Sequence, residues 1–218
     1  MSVSGRSMPV GQPTNGQFSD DGPVSSGRQA GRSPSLPGTP LPAGVLCLAW
    51  MALVVIGIVG RLYQPAYGVT PLAGIGLCAG ALFFHPLVAA SVPLVALAAS
   101  NVALPGGGSY GSWAMAAIVY GAFAWPVLMG GLVRRHRIWG AVGGALASSL
   151  VFFLATNLGH WWLTNDYPHT AAGLLDCFTL ALPFYRWMPV GDLVWSLALS
   201  SGLAIFPALA QKMQRSPA

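Results

Sequence analysis

The chain has very little charge, and acidic residues are the scarcest. Charged residues make up 7% of its 218 residues, there is no glutamate, and a soluble domain carries roughly a quarter. Hydrophobic residues make up 54%, and the mean hydropathy is +0.62. This composition excludes a large soluble domain and is typical of a protein embedded in a lipid bilayer. The net charge of +5 does not indicate a nucleic-acid partner, because the basic residues lie in the N-terminal arm and at the ends of apolar runs.

Patterns that would indicate a metal, a cofactor or an enzyme are also missing. The three cysteines, Cys47, Cys78 and Cys177, are far apart and odd in number, which argues against a disulfide framework or a zinc site. The sequence has no P-loop, no dinucleotide fingerprint and no H-E-x-x-H motif. We therefore expect no cofactor, no metal and no enzymatic activity. If the protein takes part in transport, ATP hydrolysis must come from a separate subunit.

The apolar segments predict an all-α membrane protein. Residues 1–40 are rich in Ser, Gly and Pro and are expected to form a disordered arm, ahead of a transmembrane helical domain at 41–212 and a short cytoplasmic tail at 213–218. A transmembrane helix needs roughly 20 apolar residues. Four runs meet or approach that length: Leu41–Gly60, Tyr110–Val133, Ile138–Leu158 and Pro189–Ala210.

Two further apolar runs lie between Thr70 and Leu104, and the first is short enough to be tilted or buried inside the bundle. Thr170–Phe184 is also short and is predicted to be an extra, re-entrant or half-buried helix at the outer face. The predicted fold is thus a six-span helical bundle with both ends in the cytoplasm. In that arrangement eight of the ten basic residues face the cytoplasm, as the positive-inside rule favours. Counting Thr170–Phe184 as a seventh span gives a weaker split.

One stretch, from Thr156 to Asp192, holds most of the chemically distinctive side chains. It contains Asp166, Asp176 and Asp192, which are the only acidic residues after the N-terminal arm. A charge in or near a bilayer is costly, so each marks a functional site or a buried pair. Residues expected to line a pocket for a planar solute are Asn157, His160, Trp161, Tyr167, Asp176 and Asp192.

Structural alternatives exist for these residues. Asn157, His160 and the tryptophans also fit a polar helix end in an aromatic belt. Asp192 fits a helix N-terminus, and Arg61 or Arg186 could neutralise a carboxylate. A metal held by His160, Asp166 and His169 fits no established spacing. A Gly-x-Ser-x-Gly sequence around Ser109 leaves a rhomboid-like serine protease as an alternative. It is a distant one, because His160 lies one span away from the place where such a protease has its histidine.

Several short motifs in order resemble an uncharacterised bacterial family of multi-spanning membrane proteins. They cover roughly Arg61 to Phe206 and comprise Thr70-Pro71-Leu72-Ala73, Ala155-Thr156-Asn157-Leu158-Gly159, Tyr167-Pro168-His169-Thr170, Gly173-Leu174-Leu175-Asp176-Cys177, Leu182-Pro183-Phe184-Tyr185 and Gly191-Asp192-Leu193. That family is similar in architecture to the substrate-binding components of energy-coupling-factor vitamin transporters, which are six-helix proteins that bind a vitamin near the outer face and dock onto a shared coupling and ATPase module.

The resemblance implies a substrate-binding component in the bacterial inner membrane for uptake of a small, vitamin-like solute. Its partners would be the lipid bilayer, the solute and a separate ATPase and coupling module. The competing hypothesis is a membrane scaffold or assembly protein, in which the same polar residues only fasten the outer loop.

Overall fold

The computed structural model of the protein describes residues 42–215 apart from 67 and 107, and it describes side chains as far as residue 203. This part of the chain is helical and contains no strand. The expected disordered arm and the end of the expected tail lie outside the described residues. The eight helices are α1 (Ala43–Leu62), α2 (Leu72–Leu82), α3 (Pro86–Ala103), α4 (Trp113–Leu128), α5 (Gly130–His136), α6 (Ile138–Leu163), α7 (Ala171–Tyr185) and α8 (Met188–Arg215).

Local sequence signals explain several helix boundaries. Pro86 occupies the first turn of α3, where its missing N–H is not needed. The hydroxyls of Ser112 and Thr170 cap α4 and α7, and each accepts a hydrogen bond from the backbone N–H three residues later. Arg137, which has a φ of 45°, separates α5 from α6. Between α4 and α5 only Met129 interrupts the helix, so the two form a nearly continuous segment.

Four helical segments are long and apolar enough to cross a membrane: Ala43–Leu62, Pro86–Ala103, Trp113–His136 and Ile138–Leu163. The expected count of six spans is not supported by length and composition. The segment between residues 70 and 85 falls short because α2 has 11 residues and is about 16 Å long, whereas the hydrocarbon core is about 30 Å thick. For α8, the side chains after residue 203 lie outside the described part of the chain.

The short helix α2 lies at the centre of the bundle, as one of the two alternatives for this segment predicts. Nine of its 11 residues are buried. Glycines allow close approach on several sides. A Cβ added to Gly76 would lie 3.1 Å from Pro126 of α4, and one added to Gly80 would lie 2.0 Å from the carbonyl oxygen of Val127. A Cβ on Gly144 of α6 would lie 2.6 Å from Leu77. Gly76 and Gly80, which are four residues apart, therefore serve packing within the molecule.

Helices α1 and α3 are parallel, and this determines where α2 must run. The indole N–H of Trp50 donates to Ser91, a Cβ on Gly57 would meet Ala96, and Arg61 reaches Asn101, so positions along the two helices increase together. The chain between them must return to the starting end. Helix α2 makes this return through the inside of the bundle, where nine of its 11 residues are buried.

The bundle has two ends of different character. The α7 end carries α7, the end of α1 and the start of α8, with Gly191 packed against Val69 of the α1–α2 loop. The arginine end carries α5, and Arg134 lies over the ring of Phe84 and donates to the carbonyl oxygen of Gly80. Helix α7 agrees closely with the short helix expected at Thr170–Phe184, and of its residues Gly173 and Cys177 are buried.

Candidate functional site

Three of the predicted site residues meet where α6 ends. Nε2 of His160 lies 3.0 Å from Oδ2 of Asp166, and its ring contacts Tyr167 edge-on at 6.1 Å between centroids. The indole N–H of Trp161 donates to the carbonyl oxygen of Pro168 at 3.0 Å. These contacts hold the α6–α7 loop against the end of α6. The imidazole and the carboxylate are 41% and 64% exposed, so their interaction contributes little to stability.

The same loop engages the second histidine. Nε2 of His169 lies 3.1 Å from the carbonyl oxygen of Thr164, and its ring packs near Trp161 and Trp162. A Cβ on Gly173 would lie 2.1 Å from the carbonyl oxygen of Pro168, so the first turn of α7 sits directly on the loop. His160 and His169 thus have separate protein partners, and the loop forms an aromatic cover at the α7 end of the bundle.

Asn157, the fourth predicted residue, lines a cavity between α6, α7 and α8. Its side-chain N–H donates to the carbonyl oxygen of Phe153 at 2.7 Å, and the hydroxyl of Thr156 donates to that of Phe152 at 2.8 Å. Both donors are satisfied within their own helix, so each side-chain oxygen keeps lone pairs for another group. The cavity has a volume of about 300 Å³ and is lined by Phe152, Phe153, Thr156, Asn157, Ala181, Phe184, Tyr185 and Met188.

Aromatic rings form much of the cavity wall. The ring of Phe153 lies 4.4 Å from that of Tyr185 and 5.5 Å from that of Phe178, measured between centroids. The Tyr185 hydroxyl forms no hydrogen bond within the described chain. The cavity therefore offers flat apolar surfaces, with an amide oxygen and two hydroxyls among its lining groups. Sequence reasoning includes Tyr185 and Thr156 in the distinctive stretch but not in the pocket, because spacing alone does not show which face of α7 meets α6.

The two remaining carboxylates differ in burial. Asp176 is exposed on α7 and does not line the cavity, although its position in an apolar helix indicates depth. Asp192 is 5% exposed and lies inside the bundle, four residues into α8. Asp192 lines a second, much smaller cavity, and Phe152 and Met188 line both cavities.

Among the described residues, neither Arg61 nor Arg186 forms an ion pair with a carboxylate, which was one of the structural alternatives. Arg61 turns toward α3, where it donates to Asn101 and to the hydroxyl of Ser100 at 2.7 Å. Arg186 lies over the ring of Trp187, with its guanidinium carbon 5.6 Å from the ring centroid. The partner of Arg61 was not foreseen because it lies 40 residues along the chain and requires α1 and α3 to be parallel.

A buried polar network surrounds Asn101, and sequence reasoning misses it. The side-chain oxygen of Asn101 accepts from Arg61, and its amide donates to the hydroxyl of Tyr110 at 2.8 Å and approaches that of Tyr120 at 3.4 Å. The one feature of the sequence that could have indicated this network is an asparagine at the end of an apolar run. This network fastens α1, α3 and α4 together beside the α7 end.

A bundle with four helices long and apolar enough to cross a bilayer points to a helical membrane protein. Within that class, the chain belongs to the family of unknown function DUF6580, whose family model matches residues 43–215. The match includes every described helix and confirms the expected membership of an uncharacterised family. No curated protein and no solved structure matches the chain.

Proposed function

We propose that the protein binds a small, partly planar solute in the cavity between α6, α7 and α8 and acts as the substrate-binding membrane component of an uptake system. The observation that carries this proposal is the cavity itself. It combines a volume of about 300 Å³, aromatic walls and side-chain oxygens that keep free lone pairs. Ligand sites in proteins are typically apolar clefts of about 300–1,000 Å³ with a few polar groups that fix orientation.

Each lining group has a chemical role in this proposal. The rings of Phe153 and Tyr185 stack against the planar part of the solute. The side-chain oxygen of Asn157 accepts a hydrogen bond from an N–H or O–H group of the solute, and the Tyr185 hydroxyl supplies a further donor. The α6–α7 loop lies at the α7 end of the bundle, and it is held in place by His160, Trp161 and Tyr167. Asp176 has no place in the cavity and is not assigned to the solute.

The proposed setting is the inner membrane of a bacterium, crossed six times. The parallel arrangement of α1 and α3 supports this count, because a chain that crosses twice in one direction must return between the two crossings. Helix α2 would make the return inside the protein, and α8, with 28 residues, would make the last crossing. Arg134, Arg135 and Arg137 gather at one end, which the positive-inside rule assigns to the cytoplasm.

In this setting the α7 end faces outward, where a solute would arrive. Uptake against a gradient needs an energy source, and the sequence has no nucleotide-binding motif. The proposal therefore includes a separate coupling and ATPase module as a partner, by analogy with the architecture that the sequence resembles.

The test is thermal stability of the detergent-purified protein with a panel of planar vitamins, namely thiamine, pyridoxine, riboflavin and biotin. A ligand that binds the folded state raises its melting temperature. We expect at least one member to stabilise the wild type and to lose its effect on Asn157→Ala. Asn165→Ala, an exposed asparagine in the adjoining loop, is the matched control and should respond as the wild type does. A solute that stabilises Asn157→Ala and the wild type equally would exclude this cavity as its site.

A further inference from the structure

Asp192 is a carboxylate inside the bundle that has no counter-charge among the described residues. It is 5% exposed, and within the described chain it forms neither an ion pair nor a side-chain hydrogen bond. An isolated ionised carboxylate is very costly in an apolar environment and needs a partner of opposite charge or a proton. The neighbouring arginines are turned toward Asn101 and Trp187, so they do not supply that partner.

The surroundings of Asp192 supply further oxygen atoms. Its cavity has a volume of about 10 Å³, which is about the room that one water molecule or a small ion needs. Thr70 and Ser148 also line this cavity. The hydroxyl of Ser148 donates its proton to the carbonyl oxygen of Gly144 at 2.6 Å, so its lone pairs are available to a positive group. The remaining lining is mostly apolar, so Asp192, Thr70 and Ser148 are the described lining residues with polar side chains.

A second buried oxygen lies one helical turn further along α8. Ser196 is fully buried, and its hydroxyl has no hydrogen-bond partner within the described residues. Residues four apart on a helix share a face, with their Cβ atoms about 6 Å apart. A buried hydroxyl without a protein partner needs an explanation, and a bound ion or water is the usual one. Ser196 lies outside the lining of the Asp192 cavity, and the buried hydroxyl of Ser200 one turn further on also has no partner among the described residues. The two serines thus continue a polar face of α8 that begins at Asp192.

We propose that Asp192, with the hydroxyl oxygens of Thr70 and Ser148, binds one monovalent cation, either sodium or a proton. A single carboxylate carries one negative charge, so a monovalent ion neutralises the site. A calcium or magnesium site would leave excess positive charge and normally uses more carboxylates or retained waters. Sodium is coordinated by hydroxyl and carboxylate oxygens, and a proton competes for the same carboxylate. The site lies beyond the solute cavity and does not depend on solute binding.

The other titratable or charged groups of the described chain lie outside the Asp192 cavity. The elements packed around the cavity carry Arg61 and Tyr63 before α2, Cys78 on α2, Tyr120 on α4, His160 on α6, Asp166 in the following loop, and Asp176, Cys177, Tyr185 and Arg186 on and after α7. Of the described residues that line the cavity, Asp192 alone is titratable. Asp176 is therefore a matched control, since it is an aspartate one helix away that is exposed and lies outside the cavity.

The experiment compares wild type, Asp192→Asn and Asp176→Asn in detergent. Melting temperatures are measured in sodium chloride and in choline chloride at equal ionic strength, at mildly alkaline and mildly acidic pH. Binding of radiolabelled sodium is measured in parallel. If sodium is the ligand, saturating sodium raises the wild-type melting temperature by about 5 °C at alkaline pH and by less at acidic pH, where the proton competes. Asp176→Asn keeps this response and Asp192→Asn loses it.

If the proton alone is the ligand, sodium and choline give the same result, while Asp192→Asn loses a pH dependence of stability that Asp176→Asn retains. Ser148→Ala separates the two cases further, because it weakens sodium binding several-fold but leaves a proton on the carboxyl group. The proposal is overturned if the wild type shows neither a sodium effect nor a pH dependence that Asp192→Asn removes. It is also overturned if Asp192→Asn binds radiolabelled sodium as the wild type does.

Discussion

The contact between Gly80 and α4–α5 gives a sharp test of the packing around α2. A Cβ added to Gly80 would lie 2.0 Å from the carbonyl oxygen of Val127 and 2.8 Å from its carbonyl carbon. The reciprocal change is equally close, since a Cβ on Gly130 would lie 2.1 Å from the carbonyl carbon of Gly80. Both sides of this contact are backbone, so no side-chain rotation relieves it. Alanine at Gly80 must push the helices apart.

The magnitude follows from two opposing terms. Alanine is the better helix former by about 1 kcal/mol, which favours the substitution. Ordinary contact begins at 3.4 Å, so the backbones must separate by more than an ångström. Overpacking in a well-packed core costs about 1–3 kcal/mol and occasionally more. With backbone on both sides we expect the upper part of that range, and a net loss of about 2 kcal/mol that lowers the melting temperature by about 4–8 °C.

The matched control is Gly143→Ala on α6. A Cβ there meets nothing within 4 Å, so the propensity gain is unopposed and stability should rise slightly or stay unchanged. The assay is thermal unfolding of both purified variants in the same detergent, followed by tryptophan fluorescence. If Gly80→Ala melts as high as Gly143→Ala, the close approach of α2 to α4–α5 is wrong, and with it the central position of α2.

Three further predictions concern other parts of the bundle. Asn101→Ala should lower the free energy of unfolding by about 1.5–3 kcal/mol, because it removes a hydrogen bond from the charged Arg61, and an unchanged melting temperature would contradict the network. Tyr63 and Phe84 are both exposed and flank the α2 segment, so we expect cysteines placed there in a cysteine-free background to lie on opposite sides of the membrane. An impermeant thiol reagent should then label Tyr63→Cys from one side and Phe84→Cys from the other. Labelling of both from one side would refute the return through α2. In the folded wild type a maleimide should modify the exposed Cys47 and spare Cys78 and Cys177, which are buried. Mass spectrometry after brief labelling checks this, and a modified Cys78 or Cys177 would contradict it.

Features that depend on local sequence could be predicted well. The short helix expected at Thr170–Phe184 is found at Ala171–Tyr185, because a threonine cap and the nearby aromatic and proline residues define it locally. The long apolar runs correspond to helices for the same reason, since apolar length is a property of a continuous segment. The burial of α2 was one of two alternatives that its short apolar length left open.

Features that depend on how a helix is rotated could not be predicted. Asp176 and Asp192 both interrupt apolar helices, but one is exposed and the other buried, since nothing in the order of residues states which face of α7 or α8 meets the bundle. Asp192 and Ser196 lie on the same side of α8, and only the packed structure shows that this side faces the inside of the bundle. Similarly, the partner of Arg61 depends on the parallel arrangement of α1 and α3, which no local pattern in the sequence indicates.

The distribution of polar groups within the bundle favours a function at its α7 end. A buried polar group costs stability unless it is paired, so a chain with so few of them has little reason to bury any without a use. The described part of the chain places the Arg61–Asn101 network, the cavity beside Asn157 and the unpaired Asp192 toward that end. The arginine end instead presents Arg134 to backbone carbonyls and to the ring of Phe84, which are contacts that stabilise a helix end. A scaffold needs only the fastened loop and the network, in which Asn101 is held by Arg61 and Tyr110. A scaffold role does not explain the carboxylate that has no partner in the described chain, nor the open cavity next to it. Ligands bound at these two places would explain both.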